Sequence, residues 1–267
     1  AFSGKVRLVF QPGEEIGKGA KPFVAAGVLD GAERVFGLHT AYDLEAGTVG
    51  LKPGINNAAV DHFRIRVHGR STHVSTPHLG VDALYIASQI VVAVQGLVTR
   101  RTSPTEPVII GIGKLNAGTT YNAVAAFAEM EGTTRTISQE SRDRVRAQVS
   151  ETAQSIAALY GGMAEIEWTD FAAALVNDPQ VCEEAAQVVD ELLGEGHVVT
   201  DRELSLSGDN FAEFELYKPG AYAYLGTGNP DLPHTMITNH NGGFDVDENA
   251  LVTGVGLYVG YTVARLG

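Results

Sequence analysis

The feature that most constrains the fold is a change of rhythm at about residue 59 that lasts to about residue 168. Inside it, Phe63, Ile65 and Val67 alternate with polar residues in Asp61-His62-Phe63-Arg64-Ile65-Arg66-Val67-His68, the pattern of a half-buried strand. From Asp82 to Val98, Leu84, Ala87, Ile90, Val91, Val94 and Val98 recur at helical spacing, with Asp82 placed to cap the first turn. Pro107–Ile112 and Ala123–Thr136 read as strands, Ser141–Tyr160 as a helix, and Glu165–Trp168 as a last strand. The order β-α-β-β-α-β is that of a ferredoxin-like α+β unit.

Either side, a different pattern holds. Lys5–Gln11 reads as a strand ending at Pro12-Gly13, followed by a short helix from Lys21 to Ala26. Glu33–His39 and Gly47–Leu51 read as further strands. After Trp168, Asp178-Pro179 opens a helix by cap and first-turn logic. A short helix near Phe211–Phe214, a strand at Ala221–Leu225 and a helix over Asp247–Arg265 follow. The economical architecture is an α/β domain made of residues 1–58 and 169–267, interrupted by the ferredoxin-like domain of residues 59–168.

Composition narrows the partners. Among 267 residues, 19 Lys and Arg face 32 Asp and Glu, a formal charge of −13, which argues against nucleic acid or an anionic membrane. With 44% hydrophobic residues the chain is not disordered, and no apolar run is read as reaching the ~18–20 residues of a membrane span. Ala1-Phe2-Ser3-Gly4-Lys5 lacks the layout of a signal peptide. Cys182 is the single cysteine and cannot form an intrachain disulfide, so a cytoplasmic location is expected.

Several residues could carry chemistry. Glu14-Glu15 follows the first strand at its carboxyl end, where open α/β sheets place their sites. Such a pair can divide labour between holding a metal and moving a proton, or it can be a solvated acidic turn. His39 ends a second strand, and parallel strands would bring both ends to one rim; a hydrogen-bonded structural role is the other reading. His240 lies in the polar loop Thr238–Phe244, while His234 has the weaker case. In the inserted domain, Gly69–Asp82 is a turn-rich loop with His73 and His78 that leads into a helix. Its position suits an oxyanion or carboxylate, or it is a capped connector. Asn122 and Arg135 bracket a strand; amide plus guanidinium suits a carboxylate, and a surface ion pair suits Arg135 as well. Asp209 is placed either behind a metal ligand or as a cap for the next helix.

Taken together, these segments resemble the M20 metallopeptidase and amidohydrolase family, in the N-acyl-amino-acid hydrolase branch with auxin-conjugate, hippurate and aminobenzoyl-glutamate hydrolases. The matching stretches are Phe10–Glu15, Gly37-Leu38-His39, Gly69–Asp82, Gly118–Asn122, Gly132–Thr136, Gly208–Phe211, and His240 with Phe244–Asp247. The resemblance implies a zinc-exopeptidase (phosphorylase/hydrolase-like) catalytic domain and an inserted ferredoxin-like lid through which two copies dimerise. It implies Glu14 as general base, Glu15, His39 and His240 as metal ligands, and two divalent ions (Zn, Mn, Ni or Co) in the full-length protein. His73 would polarise the scissile carbonyl or hold the oxyanion, often from the partner subunit's lid, and Asn122, Arg135 and His78 would bind substrate. The implied reaction is metal-assisted hydrolysis of N-acetyl or aromatic-acyl amino acids. A dipeptidase, or a non-catalytic dimeric binding relative, are the alternatives.

The sequence departs from the family in three places. No Cys-Gly-His-Asp segment precedes Lys5, so the catalytic domain is expected to be incomplete at its front, and Cys182 is in the wrong place to substitute. Asp209-Asn210-Phe211 stands for the usual Glu-Asp-Phe. Ser71-Thr72-His73 and Asn122-Ala123-Val124-Ala125 stand for Gly-Gly-His and Asn-Val-Ile-Pro.

Overall fold

The computed structural model describes residues 3–267, so the reading of Ala1 and Phe2 lies outside the described residues. In chain order the helices are α1 Ala20–Ala25, α2 Ala83–Arg100, α3 Gln139–Leu159, α4 Pro179–Leu193, α5 Ala212–Glu215 and α6 Ala250–Leu266. The strands are β1 Val35–Glu45, β2 Val49–Gly50, β3 Gly54–Asn57, β4 Ala59–His68, β5 Ile109–Ala117, β6 Phe127–Thr136, β7 Met163–Ala172, β8 Leu175–Asn177, β9 Val198–Val199 and β10 Gly220–Gly228. They form two compact units. One comprises residues up to Asn56, Leu175–Ser205 and Asp209–Gly267; the other comprises Asn57–Ala174 and Leu206–Gly208. The second unit runs past Trp168 because β7 continues to Ala172.

In the first unit a mixed sheet has the order β1-β10-β2-β9. β1 and β10 are parallel, from Val35 opposite Gly220 to Ala41 opposite Gly226. Strand alternation sends Ala221, Ala223 and Leu225 into a core with Val181, Ala185 and Val188 of α4 and Leu257 and Tyr261 of α6. Asp178 caps α4 as expected, accepting the Gln180 and Val181 N–H groups at 2.9 and 3.0 Å. A separate pair, β3-β8, was too short to read from sequence.

The second unit is an antiparallel sheet of order β5-β6-β4-β7 with α2 and α3 packed on it, the ferredoxin-like arrangement expected for this stretch. Phe63, Ile65, Val67, Ala128 and Met130 face Ile86, Ile90 and Val94 of α2 and Val145, Val149 and Ala153 of α3. The opposite face carries cross-strand ion pairs, including Arg66 with Glu129 at 3.0 Å and Lys114 with Glu131 at 2.7 Å. Lys114 holds the Glu131 carboxyl down to about 2.

Asp61 and Arg142 form the one bidentate pair in this unit's interior, at 2.9 and 2.6 Å, with exposures of 1% and 6%. Removing one partner of a buried pair typically costs ~3–5 kcal/mol because the other charge is stranded. Here Arg146 lies 3.9 Å from Asp61 and softens the loss. Arg142→Met is expected to lower stability by about 2–3 kcal/mol. Urea unfolding checks this, and an unchanged midpoint would show that the pair contributes nothing.

Three sequence readings are corrected. Lys5–Gln11 is not a strand: Val6, Leu8 and Phe10 are exposed, and the segment has no strand neighbour among the described residues. Alternation alone cannot make a strand without a partner to pair with. The strand expected from Ala123 begins only at Phe127, since a loop opened by Gly118 (φ 69°) occupies the preceding residues. Finally, α2 is long and apolar enough to cross a membrane by length and composition, contrary to the reading that no run approaches that length. In this fold its apolar stripe, Ala83, Ile86, Ala87, Ile90, Val94 and Leu97, is buried on the sheet.

Candidate active site

In the first unit, a tight loop presents the two glutamates. Glu14–Ile16 form a single 3₁₀ turn between Gly13 (φ 72°) and Gly17 (φ 63°), conformations that favour glycine. Gly19, at φ 115°, passes so close to Pro12 that a Cβ would lie 1.9 Å from its carbonyl oxygen. Gln11 fastens the loop to the segment before α5 by donating from Nε2 to Asn210 Oδ1 at 2.7 Å. The Asn210 backbone N–H in turn donates to the Glu14 carboxylate.

Glu14 is half-buried while Glu15 is exposed. Burial first, then the charges of Asp209 and Glu15, raise the Glu14 pKa above the ordinary carboxylate value; the Asn210 N–H and His39 pull it down. A raised carboxyl beside other acids is able to accept a proton near neutral pH.

His39 lies on β1, on the sheet face that also bears Tyr222 and Tyr224, with ring centroids 6.1 and 6.0 Å away. Its Nδ1 is 2.6 Å from the Thr40 carbonyl oxygen. A carbonyl only accepts, so Nδ1 carries the proton and Nε2 keeps a lone pair. His240 is the one non-glycine residue among the described residues with positive φ, 61°. Such backbone strain collects at functional sites. Its Nδ1 is 3.7 Å from Glu15 Oε2. His240 and His234 are both exposed, and His234 lies 3.8 Å from Asp245.

Asp209 is occupied on both oxygens. Oδ1 accepts the Phe211 N–H at 2.8 Å and Oδ2 accepts the Tyr222 hydroxyl at 2.6 Å. Burial, reinforced by Asp209, pushes the Tyr222 hydroxyl far up, so it stays a donor. No local motif points to Tyr222. Cys182 is buried packing, its thiol pushed up to about 12 by burial.

The donor chemistry of Glu15, His39 and His240 suits a divalent cation. Ligand bonds of ~2.0–2.2 Å allow two ligands of one ion to be up to ~4 Å apart, which the Glu15–His240 separation satisfies. Among the described residues, however, no three His, Cys, Asp or Glu side chains are gathered as a ligand group. The fit is therefore that of a partial donor set: two facing groups and a histidine with a free lone pair.

In the second unit, Arg70 and Val81 close the loop by paired backbone bonds of 2.9 and 2.8 Å. Within it, His73 bridges Ala123, and the Val74 N–H donates to the Asn122 carbonyl at 3.1 Å, so His73 and Asn122 are brought together. His78 is exposed on the 3₁₀ turn Pro77–Leu79. Arg135 lies on β6, on the same sheet face as Glu131; burial lowers its pKa, and it makes no ion pair among the described residues. Of the two readings of the loop that leads into α2, the capped connector describes the start of the helix. The N–H groups of Leu84 and Tyr85 are taken by Asp82, that of Ala83 by the Ala125 carbonyl, and that of Ile86 by the Asp82 carbonyl.

Known proteins similar to this chain bear on its family and fold. The chain is 36% identical over 252 residues to an N-acetyl-L-cysteine deacetylase of Bacillus subtilis, covering 94% of this chain and 58% of that protein. It is 34% identical to thermostable carboxypeptidase 1 of Saccharolobus solfataricus, covering 95% and 64%. The solved structure of Bacillus subtilis YXEP, described as a dinuclear metal binding peptidase from M20 family, superposes with a TM-score of 0.79 at 32% identity, covering 96% and 64%. The chain thus spans about three fifths of the length of these relatives. The model of peptidase family M20/M25/M40 matches residues 1–263, and the chain belongs to that family.

Proposed function

We propose that this chain contributes the general base and part of the metal site of a hydrolase that cleaves the amide bond of N-acyl amino acids. The observation that carries the reading is Glu14, raised by burial beside Asp209 and Glu15, with His39 close enough to act on its charge. The N-acetyl-L-cysteine deacetylase relative supports the acyl-amino-acid class of substrate.

In this reading Glu15, His39 and His240 would supply part of the ligand set of a divalent ion, Zn, Mn, Ni or Co. The chemistry supplied by an ion held there is a lowered water pKa and positive charge for the developing oxyanion. Glu14 takes the proton from the attacking water and passes it to the leaving amine. The Asn210 N–H keeps the accepting carboxylate oriented. His73 donates to the acyl oxygen, and Asn122, His78 and Arg135 bind the amide and carboxylate ends of the substrate. Two copies associate through the unit of residues 57–174. The lone, buried Cys182 suits a reducing cytoplasm.

The test is amine release from N-acetyl and N-benzoyl amino acids by the protein with its metal site complete, with each of the four metals and with a chelator. Hydrolysis that needs metal is expected. The carboxypeptidase relative supports a second reading, cleavage of peptides, which unblocked dipeptides in the same assay distinguish. No turnover of any substrate and no retained metal would identify a non-catalytic binding protein instead.

A further inference from the structure

The ring of His73 is held by a residue two positions on. The Ser75 backbone N–H donates to His73 Nδ1 at 3.2 Å, and Ser75 Oγ lies 2.7 Å from the same nitrogen. A backbone N–H can only donate, so Nδ1 must offer its lone pair and the ring proton resides on Nε2. The hydroxyl then has a single useful role, as a second donor to Nδ1. The backbone around the ring is pinned as well. The Thr76 N–H and Thr76 Oγ1 both donate to the His73 carbonyl, at 2.9 and 3.2 Å, and the Val74 N–H is bound to Asn122.

His39 shows the opposite arrangement. Its Nδ1 faces a carbonyl and its Nε2 lone pair is left over. One histidine is set to give an electron pair and the other to give a hydrogen bond. The protein uses the partner of Nδ1 to choose between them.

We propose that Ser75 is a positioning residue that holds His73 in the Nε2–H tautomer, so that His73 meets substrate as a hydrogen-bond donor and not as a base. The use of that N–H on an acyl oxygen rests on the hydrolase reading; the tautomer itself does not. A donor fixed before substrate arrives costs no reorganisation when negative charge develops on the oxygen.

The experiment is nitrogen NMR of the chain labelled at histidine nitrogens, with the His73 signals identified by their loss in His73→Asn. At pH 8, wild type is expected to show an unprotonated, hydrogen-bonded Nδ1 and a protonated Nε2. Ser75→Ala is expected to move the Nδ1 signal toward that of a free imidazole, and Ser75→Thr to restore it. Ser75 is exposed, so circular dichroism should be unchanged in both variants. In the active protein, Ser75→Ala is expected to lower kcat about three- to tenfold, the worth of one hydrogen bond, with KM little changed. A protonated Nδ1 in wild type, or identical spectra for wild type and Ser75→Ala, overturns the proposal. The expected spectra from a protein that hydrolyses nothing uphold the tautomer and count against the hydrolase reading alone.

Discussion

Replacing Glu14 with glutamine is expected to reduce amide hydrolysis by roughly 10²–10⁴-fold, the range set by losing a positioned general base. The amide has nearly the volume of the carboxylate and can still accept the Asn210 N–H, so the loop keeps its shape. What it cannot do is take a proton from water. Folding should not suffer. The ionised Glu14 is disfavoured by burial and by Asp209 and Glu15, and a neutral side chain removes those penalties. Steady-state kinetics at saturating metal, beside a thermal melt, check both halves. A loss confined to kcat with an unchanged or slightly raised melting temperature is expected. Wild-type turnover in Glu14→Gln would remove Glu14 as the base.

The second large effect is one of stability and lies away from the reacting groups. Glu215, on α5, is pushed up to about 8, chiefly by burial and then by the nearby charges of Asp209 and Asp178. One oxygen accepts the Val176 N–H at 3.0 Å; the other is buried with no hydrogen-bond partner among the described residues. The fold therefore prefers the protonated acid. For a carboxyl whose folded pKa lies above its unfolded value, the contribution is fully present below about pH 4.5 and is lost as pH rises through 8. Each pH unit across that window removes about 1.4 kcal/mol, about 5 kcal/mol in all. Glu215→Gln keeps an acceptor for Val176 and cannot ionise, so its stability should vary far less between pH 5 and pH 9. Urea midpoints at pH 5, 7 and 9 should converge for the two proteins at the acid end and separate, with the variant more stable, at the alkaline end. Parallel curves would refute the assignment.

How far the sequence could be read depended on whether the signal was local. Asp82 and Asp178 cap their helices within three residues, so those starts follow from the side chain next to them. The six-element order between β4 and β7 followed from apolar periods, which are local too. Lys5–Gln11 has the residues of a strand, but strand formation depends on a neighbour that the segment itself cannot specify. β3, β8 and β9 are too short for any periodicity to show. At the site, Glu14, Glu15, His39 and His240 could be named from their flanking motifs. The engagement of Asp209 by Tyr222 could not, because it joins residues on two different elements. The bond from Ser75 to His73 spans two positions and was present in the sequence as His-Val-Ser. Only the direction of its hydrogen bonds gives it meaning.

The pairing of β1 with β10 also orders events in time. The second unit takes nearly all its strands and both its helices from one unbroken stretch, Asn57–Ala174, so it can close while later residues are still being synthesised. β1 leaves the ribosome before that stretch but finds its parallel partner only when Gly220–Gly228 has followed. The half of the molecule that carries Glu14 and His39 is thus begun first and finished last. Its sheet must wait, edge open, through the synthesis of an entire intervening domain.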